Sequence, residues 1–261
     1  MRIASLLLAL SLLHCGAPHA AEAASGAVER VSTRGVSVPI FTVWNKDALA
    51  TVVLYSGGPG GYGKLGEDDW PGSPNFLIRS ARRFAAHPLN VVLVGRASDV
   101  RELDGNMRTG DDHDLDNQAI FRAVKAHSGA PIWLVGTSMG TISATAAAIR
   151  DGGRQVAGIV LTSSITSYRI AGAVPSQDLE RIRVPVLVLH HERDACKSCT
   201  PWEAKNIADK LKNAPIKKTV LVNGGGNPTG DPCGAMHYHG YIGMENEVVD
   251  LISTWVLAPS G

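Results

Sequence analysis

A serine becomes a nucleophile when its hydroxyl is held clear of the backbone and beside a base. The run Gly136-Thr137-Ser138-Met139-Gly140 has the makings of such a seat. The apolar residues 132–135 lie directly before it and the small residues 141–149 directly after it, which reads as strand, sharp turn and helix with Ser138 at the apex. Glycine is needed on both flanks, because a side chain at Gly136 or Gly140 would collide with the neighbouring strand or helix. The pattern alone recurs by chance as an ordinary strand-to-helix turn, so its weight comes from the apolar run and the small-residue helix around it.

Such a serine needs a base, and the base needs an orienting carboxylate; in sheets of this kind they follow in the order Ser, Asp or Glu, His. Asp194 lies just past the apolar run 186–189, in a loop that the carboxyl edge of the sheet would bring beside the elbow, and Glu192 is its rival. His237 and His239 both lie between the last strand and the last helix, where the base belongs. His239 is favoured because Gly240 follows it and would let the loop approach the serine. The plainer reading of either histidine is a loop side chain bonded to backbone or water. An oxyanion hole takes two backbone N–H groups. Met139 would give one, and Gly58, in the run Ser56-Gly57-Gly58-Pro59-Gly60-Gly61, the other. A phosphate-cradling loop would need a lysine and a hydroxyl residue opening a helix, and Tyr62-Gly63-Lys64-Leu65 does not provide them. Tyr62 and Trp70 are candidate walls of a substrate pocket.

The elements that must position these groups follow from hydrophobic periodicity. Strands are expected over residues 36–43, 51–55, 91–94, 132–135, 158–162, 186–189 and 219–222, and helices over 75–86, 114–126, 139–150, 201–211 and 245–256. Apolar strands alternating with helices predict an α/β fold, a mostly parallel central sheet with helices on both faces. No repeat or low-complexity tract interrupts residues 24–261, which read as a single domain. Residues 1–23 read as a secretory signal peptide: Arg2 gives a positive start, residues 3–13 an apolar core, and Ala21-Glu22-Ala23 a small-x-small cleavage site. A lipoprotein reading at Cys15 is disfavoured by His14, which is too large for that processing site. No later run is long and apolar enough to span a membrane, so the mature chain is expected to be secreted or periplasmic, in an oxidising compartment. The balance of 25 basic against 24 acidic residues gives no argument for nucleic acid. Asp111, Asp112, His113, Asp114 and Asp116 match no familiar cation loop and read as a solvated helix start, so no metal is expected there.

With elbow, acid, base and glycine loop in hand, the chain resembles the α/β-hydrolase superfamily over essentially all of its mature length. In particular it is similar to secreted bacterial members that carry a Gly-Gly-Pro-Gly-Gly loop, here residues 57–61, a Gly-Thr-Ser-x-Gly elbow, here 136–140, and a His-Gly-aromatic base motif, here His239-Gly240-Tyr241. The glycine run is also similar to that of proline iminopeptidases. Those carry a histidine before the loop, where this chain has Ser56, and a large helical cap, where residues 168–183 leave room for a turn or short helix. The resemblance therefore implies an α/β-hydrolase fold with minimal cap and an open site.

Cys196, Cys199 and Cys233 remain after the leader. Related hydrolases place cysteines at the first and third positions, which implies a Cys196–Cys233 disulfide tying the acid loop to the base loop and leaves Cys199 as a free thiol. In the chain-entropy account that ring of nearly forty residues would gain about 4 kcal/mol, against about 2 for a Cys196–Cys199 ring. A Cys196–Cys199 bond and a Cys3His zinc site with His237 are the alternatives. The function expected is that of an exported serine hydrolase cleaving small-molecule carboxylic esters through an acyl-enzyme, with no cofactor and no particular oligomeric state implied. A peptidase or amidase of the iminopeptidase type, and a catalytically silent binding protein, are the competing readings.

Overall fold

Along each central strand, successive side chains point to opposite faces of the sheet. Val53, Leu134, Ile159 and Val188 enter one apolar cluster, whereas Val52, Val135, Val160 and Leu187 enter the other. Each of these side chains is fully withdrawn from water, which contributes about 1.5–3 kcal/mol apiece. The computed structural model describes residues 25–261. The expected signal peptide, residues 1–23, lies outside the described residues.

The strands are β1 (Ala27–Thr33), β2 (Val36–Val43), β3 (Ala50–Tyr55), β4 (Lys64–Leu65), β5 (Pro71–Gly72), β6 (Leu89–Val94), β7 (Ile132–Thr137), β8 (Val156–Thr162), β9 (Val186–His191) and β10 (Lys217–Val222). Eight of them form one sheet in the order β1-β2-β6-β3-β7-β8-β9-β10, with β4 and β5 paired apart. β2 is antiparallel to both its neighbours, and β6 through β10 run parallel. The helices are α1 (Phe76–Arg79), α2 (Ala81–Ala85), α3 (Gly105–Thr109), α4 (Asp111–His127), α5 (Gly140–Asp151), α6 (Ala204–Lys210) and α7 (Glu245–Leu257). Apolar residues of α4, α5 and α6 cover one face; those of α1, α2 and α7 cover the other. Between β8 and β9 the described residues hold only two short 3-10 turns, Val174–Ser176 and Leu179–Arg181, so nothing there roofs the sheet. No helix among the described residues is long and apolar enough to cross a membrane.

Several expectations are corrected. β1 carries no apolar alternation, because it is an edge strand with most residues open to water; its pairing with β2 across Arg34-Gly35, both at positive φ, is what makes it a strand. The single helix expected over residues 75–86 is two, broken at Ser80, whose φ and ψ of −97° and 1° rotate the chain so that Phe76, Leu77 and Phe84 all reach the core. β10 is an edge strand with alternating exposure rather than a fully buried one. The acidic start of α4 is only partly solvated: Asp116 and His113 are buried, and Arg34 donates to Asp116 at 2.9 Å and to Asp99 at 2.7 Å.

Candidate active site

Ser138 is the first residue past β7 and precedes α5, with φ of +53°, a left-handed conformation that an L-residue adopts only when its surroundings enforce it. Its N–H donates to the Thr162 carbonyl at 3.1 Å, and its own carbonyl accepts from the Thr141 hydroxyl at 2.6 Å. The flanking glycines are demanded by backbone. A Cβ on Gly136 would stand 2.5 Å from the Gly140 carbonyl oxygen, and one on Gly140 would stand 2.0 Å from that of Tyr55.

Asp194, in the loop after β9, is fully buried, and its Oδ2 lies 2.8 Å from Nδ1 of His239. Its Oδ1 accepts from the Cys196 N–H at 2.9 Å, so both carboxylate oxygens are fixed. Glu192 instead meets Asn223 at the surface, and no hydrogen bond joins His237 to Asp194 among the described residues. Nε2 of His239 is buried without a hydrogen-bond partner. Ser138 and His239 line the same cavity, about 680 Å³, which also takes in Gly58 and Tyr62. Trp70 is not brought to it: the indole packs on Phe41 at 5.2 Å beneath the Arg82 guanidinium.

The glycine loop closes on itself through the Ser56 hydroxyl, which donates to the Gly61 carbonyl at 2.5 Å. Gly57 lies against the elbow, where a Cβ would be 2.9 Å from that of Ser138. The N–H groups of Gly58 and Met139 have no partner among the described residues. Arg108, buried, donates to the Gly58 carbonyl at 3.0 Å, and burial lowers its pKa to about 10.

The base loop is supported by Tyr241, the aromatic residue of the His-Gly-aromatic motif, and by Ser163 and Arg79, which carry no signal in the sequence. The Ser163 hydroxyl donates to the His239 carbonyl at 2.8 Å, the buried Tyr241 hydroxyl to Leu189 at 2.8 Å, and Arg79 to the Gly240 carbonyl at 2.5 Å. Gly240 does not serve an approach to the serine; a Cβ there would stand 2.0 Å from the Ala235 carbonyl, so the constraint is within the loop. Asn75 caps α1 by accepting from Leu77 at 3.1 Å, which turns its Nδ2 towards Gly57 and the cavity.

Cys196 and Cys233 are joined, 37 residues apart, and Cys199 is a buried free thiol. Burial, then the Asp194 charge, pushes the Cys199 pKa up. The atoms of Cys196, Cys199 and His239 lie within 4.8 Å of one another. Cys196 has spent its thiolate on the disulfide, so this donor set does not fit zinc, and His237 is not part of it.

No family model matches the chain, and no curated protein matches it. Among solved structures it is similar to a hyperthermophilic esterase from the archaeon Pyrobaculum calidifontis, at 17% identity and a TM-score of 0.63, covering 90% of this chain and 85% of that one. It is similar to a dienelactone hydrolase from Anabaena variabilis, at 16% identity and 0.62, covering 90% and 97%. An α/β serine hydrolase without lid from Xanthomonas campestris is similar at 12% identity and 0.61, covering 90% and 96%. Strand order, elbow and these likenesses lead to one assignment: the chain has the α/β-hydrolase fold.

Proposed function

We propose that this chain is an exported serine hydrolase acting on carboxylic esters. The observation that carries the reading is the buried Asp194–His239 pair at 2.8 Å, opening onto the cavity that Ser138 enters from its strained elbow. His239 takes the Ser138 proton as the hydroxyl attacks the ester carbonyl. Asp194 holds the imidazole with Nδ1 protonated and stabilises the imidazolium that forms. The N–H groups of Met139 and Gly58 receive the oxyanion, and Asn75 Nδ2 is placed to support it. His239 then protonates the leaving alcohol, and water repeats the sequence on the acyl-enzyme.

In this account the Ser138–His239 hydrogen bond forms as substrate binds, in keeping with the loose catalytic contacts common in free enzymes. The open site and the short 168–183 segment favour esters over an iminopeptidase activity, which the resemblance associates with a cap. Export is supported by the leader pattern of residues 1–23 and by the disulfide. The test is labelling by a fluorophosphonate, alongside a panel of p-nitrophenyl esters and aminoacyl amides. Labelling at Ser138 with ester turnover is expected; an unlabelled, inactive protein would return the chain to the binding-protein reading.

A further inference from the structure

The formally charged side chains that line the active-site cavity are of one sign. Lys64 and Arg96 line it, and no aspartate or glutamate does so among the described residues. Composition does not explain this, since the chain has 25 basic and 24 acidic residues. Some arginines elsewhere are matched, Arg34 with Asp99 and Asp116, Arg79 with Glu245 and Arg150 with Asp111, while others, such as Arg108 and Arg193, meet only neutral groups and line no part of this cavity. Arg96 has no carboxylate partner among the described residues. Its Nη1 donates to the Gly60 carbonyl at 3.3 Å, and its stem lies over Gly61, where a Cβ would be 3.6 Å from the arginine Cγ. That contact moors the half-buried guanidinium at the rim of the glycine loop and leaves most of its five N–H donors free. Lys64, on β4, is exposed and makes neither an ion pair nor a side-chain hydrogen bond among the described residues. Of the acids on the same loop, Asp68 is engaged by Arg82, and Glu67 and Asp69 do not line the cavity.

Resting on the serine-hydrolase reading, we propose that the substrate is an ester bearing an anionic oxygen group, a carboxylate or phosphate, held by Arg96 and Lys64. The sheet sets the reach. Arg96 follows β6, and the order β6-β3-β7 places it two strands from Ser138 at the same edge, about 10 Å between main chains at ~4.8 Å per strand. With the side chain turned back over the glycine loop, the anion sits a few carbon atoms from the ester carbonyl. A guanidinium offers such a group paired N–H donors, and an unmatched cation within a cleft also draws anions to it.

The test compares kcat/KM for p-nitrophenyl pentanoate with that for the p-nitrophenyl monoester of glutaric acid, which carries a carboxylate on the acyl side. The butyrate ester of 4-hydroxybenzoate moves the charge to the leaving side, and a phosphonate-tipped acyl ester replaces carboxylate by phosphate chemistry. At least one anionic ester should be preferred over its neutral counterpart by about tenfold at low ionic strength, the size expected of one charge-assisted contact, and the preference should shrink in high salt. Which anionic arm leads identifies the group and its side of the scissile bond. Arg96→Gln and Lys64→Gln should each lower the anionic-to-neutral ratio, and Arg96→Lys should retain more of it than Arg96→Gln. Because a ratio is read, partial misfolding of a variant does not mimic the result. Neutral esters preferred throughout, or a ratio indifferent to both glutamine substitutions, would overturn the proposal while leaving a working hydrolase. Absence of all turnover together with absent fluorophosphonate labelling would overturn the hydrolase reading and this one with it.

Discussion

Two serine–histidine arrangements among the described residues differ instructively, one packed in the core and one at the cavity. In the first, on the face covered by α4 and α5, His113 Nε2 lies 3.0 Å from the Ser143 hydroxyl, closer to a nucleophile–base contact than anything Ser138 makes. Yet the Arg108 guanidinium donates to the same hydroxyl at 2.9 Å, and no carboxylate among the described residues hydrogen-bonds the ring. Burial, then Arg108, then Arg34, lowers the His113 pKa to about 3. A histidine that resists protonation so strongly cannot take a serine's proton at neutral pH. In the second pair the serine sits on a strained turn at a cavity, and a buried carboxylate faces the imidazole. Proximity of hydroxyl and imidazole is thus common packing. Access, and a charge of the right sign behind the ring, are what separate a site from a core contact.

The comparison can be broken most sharply at the serines. Ser138→Ala should abolish fluorophosphonate labelling and lower kcat by on the order of 10⁴-fold or more, whereas Ser143→Ala should leave labelling in place. Labelling that moved with Ser143 would reverse the assignment. Next, Asp194→Asn should lower kcat by on the order of 10⁴-fold by favouring the wrong tautomer of His239, with little loss of fold. His239→Ala should have an effect of similar scale and His237→Ala a small one, read from kcat against p-nitrophenyl esters. Reduction of Cys196–Cys233 should lower thermal stability, and activity with it if Asp194 and His239 separate, since a displacement near 1 Å can cost about a hundredfold in rate.

The smallest effect is on stability against pH. His113, at about 3, and His190, at about 4, are both held below the unfolded value of 6.5, chiefly by burial. The unfolded chain therefore binds more protons than the folded one below pH 6.5, so stability is full above that value and falls as pH drops towards 4 and then 3. At pH 4.5 the His113 contribution amounts to about 2–3 kcal/mol. Thermal melts between pH 7 and 4.5 should show this decline, and His113→Gln should make it shallower. An unchanged slope would mean that His113 is solvated in the folded protein.

Much of this was legible in the sequence for a physical reason. The elbow is written in backbone clearances, Gly136 against Gly140 within the turn and Gly140 against Tyr55 of β3, two glycines whose missing Cβ atoms are visible as letters, and the parallel sheet follows from apolar runs. Asp194 and His239 could be placed by their position after strands. Of their supports only Tyr241 was marked, as the aromatic of the His-Gly-aromatic motif and without its role; Ser163 and Arg79 act through long-range hydrogen bonds that leave no periodicity. β1 was missed because an edge strand need not alternate, and Ser80 because a helix break of one residue preserves the apolar spacing.

The Cys196–Cys233 bond also changes what cutting the chain would do. Residues 223–230, rich in glycine and largely open to solvent, fall inside the closed ring between the two cysteines. A protease that clips there severs the backbone between the Asp194 segment and the His239 segment, but the fragments remain one molecule. The nicked protein should run as a single band without reductant and as two with it. If the chain is exported as proposed, a cut at this exposed loop would leave a scar instead of a separation.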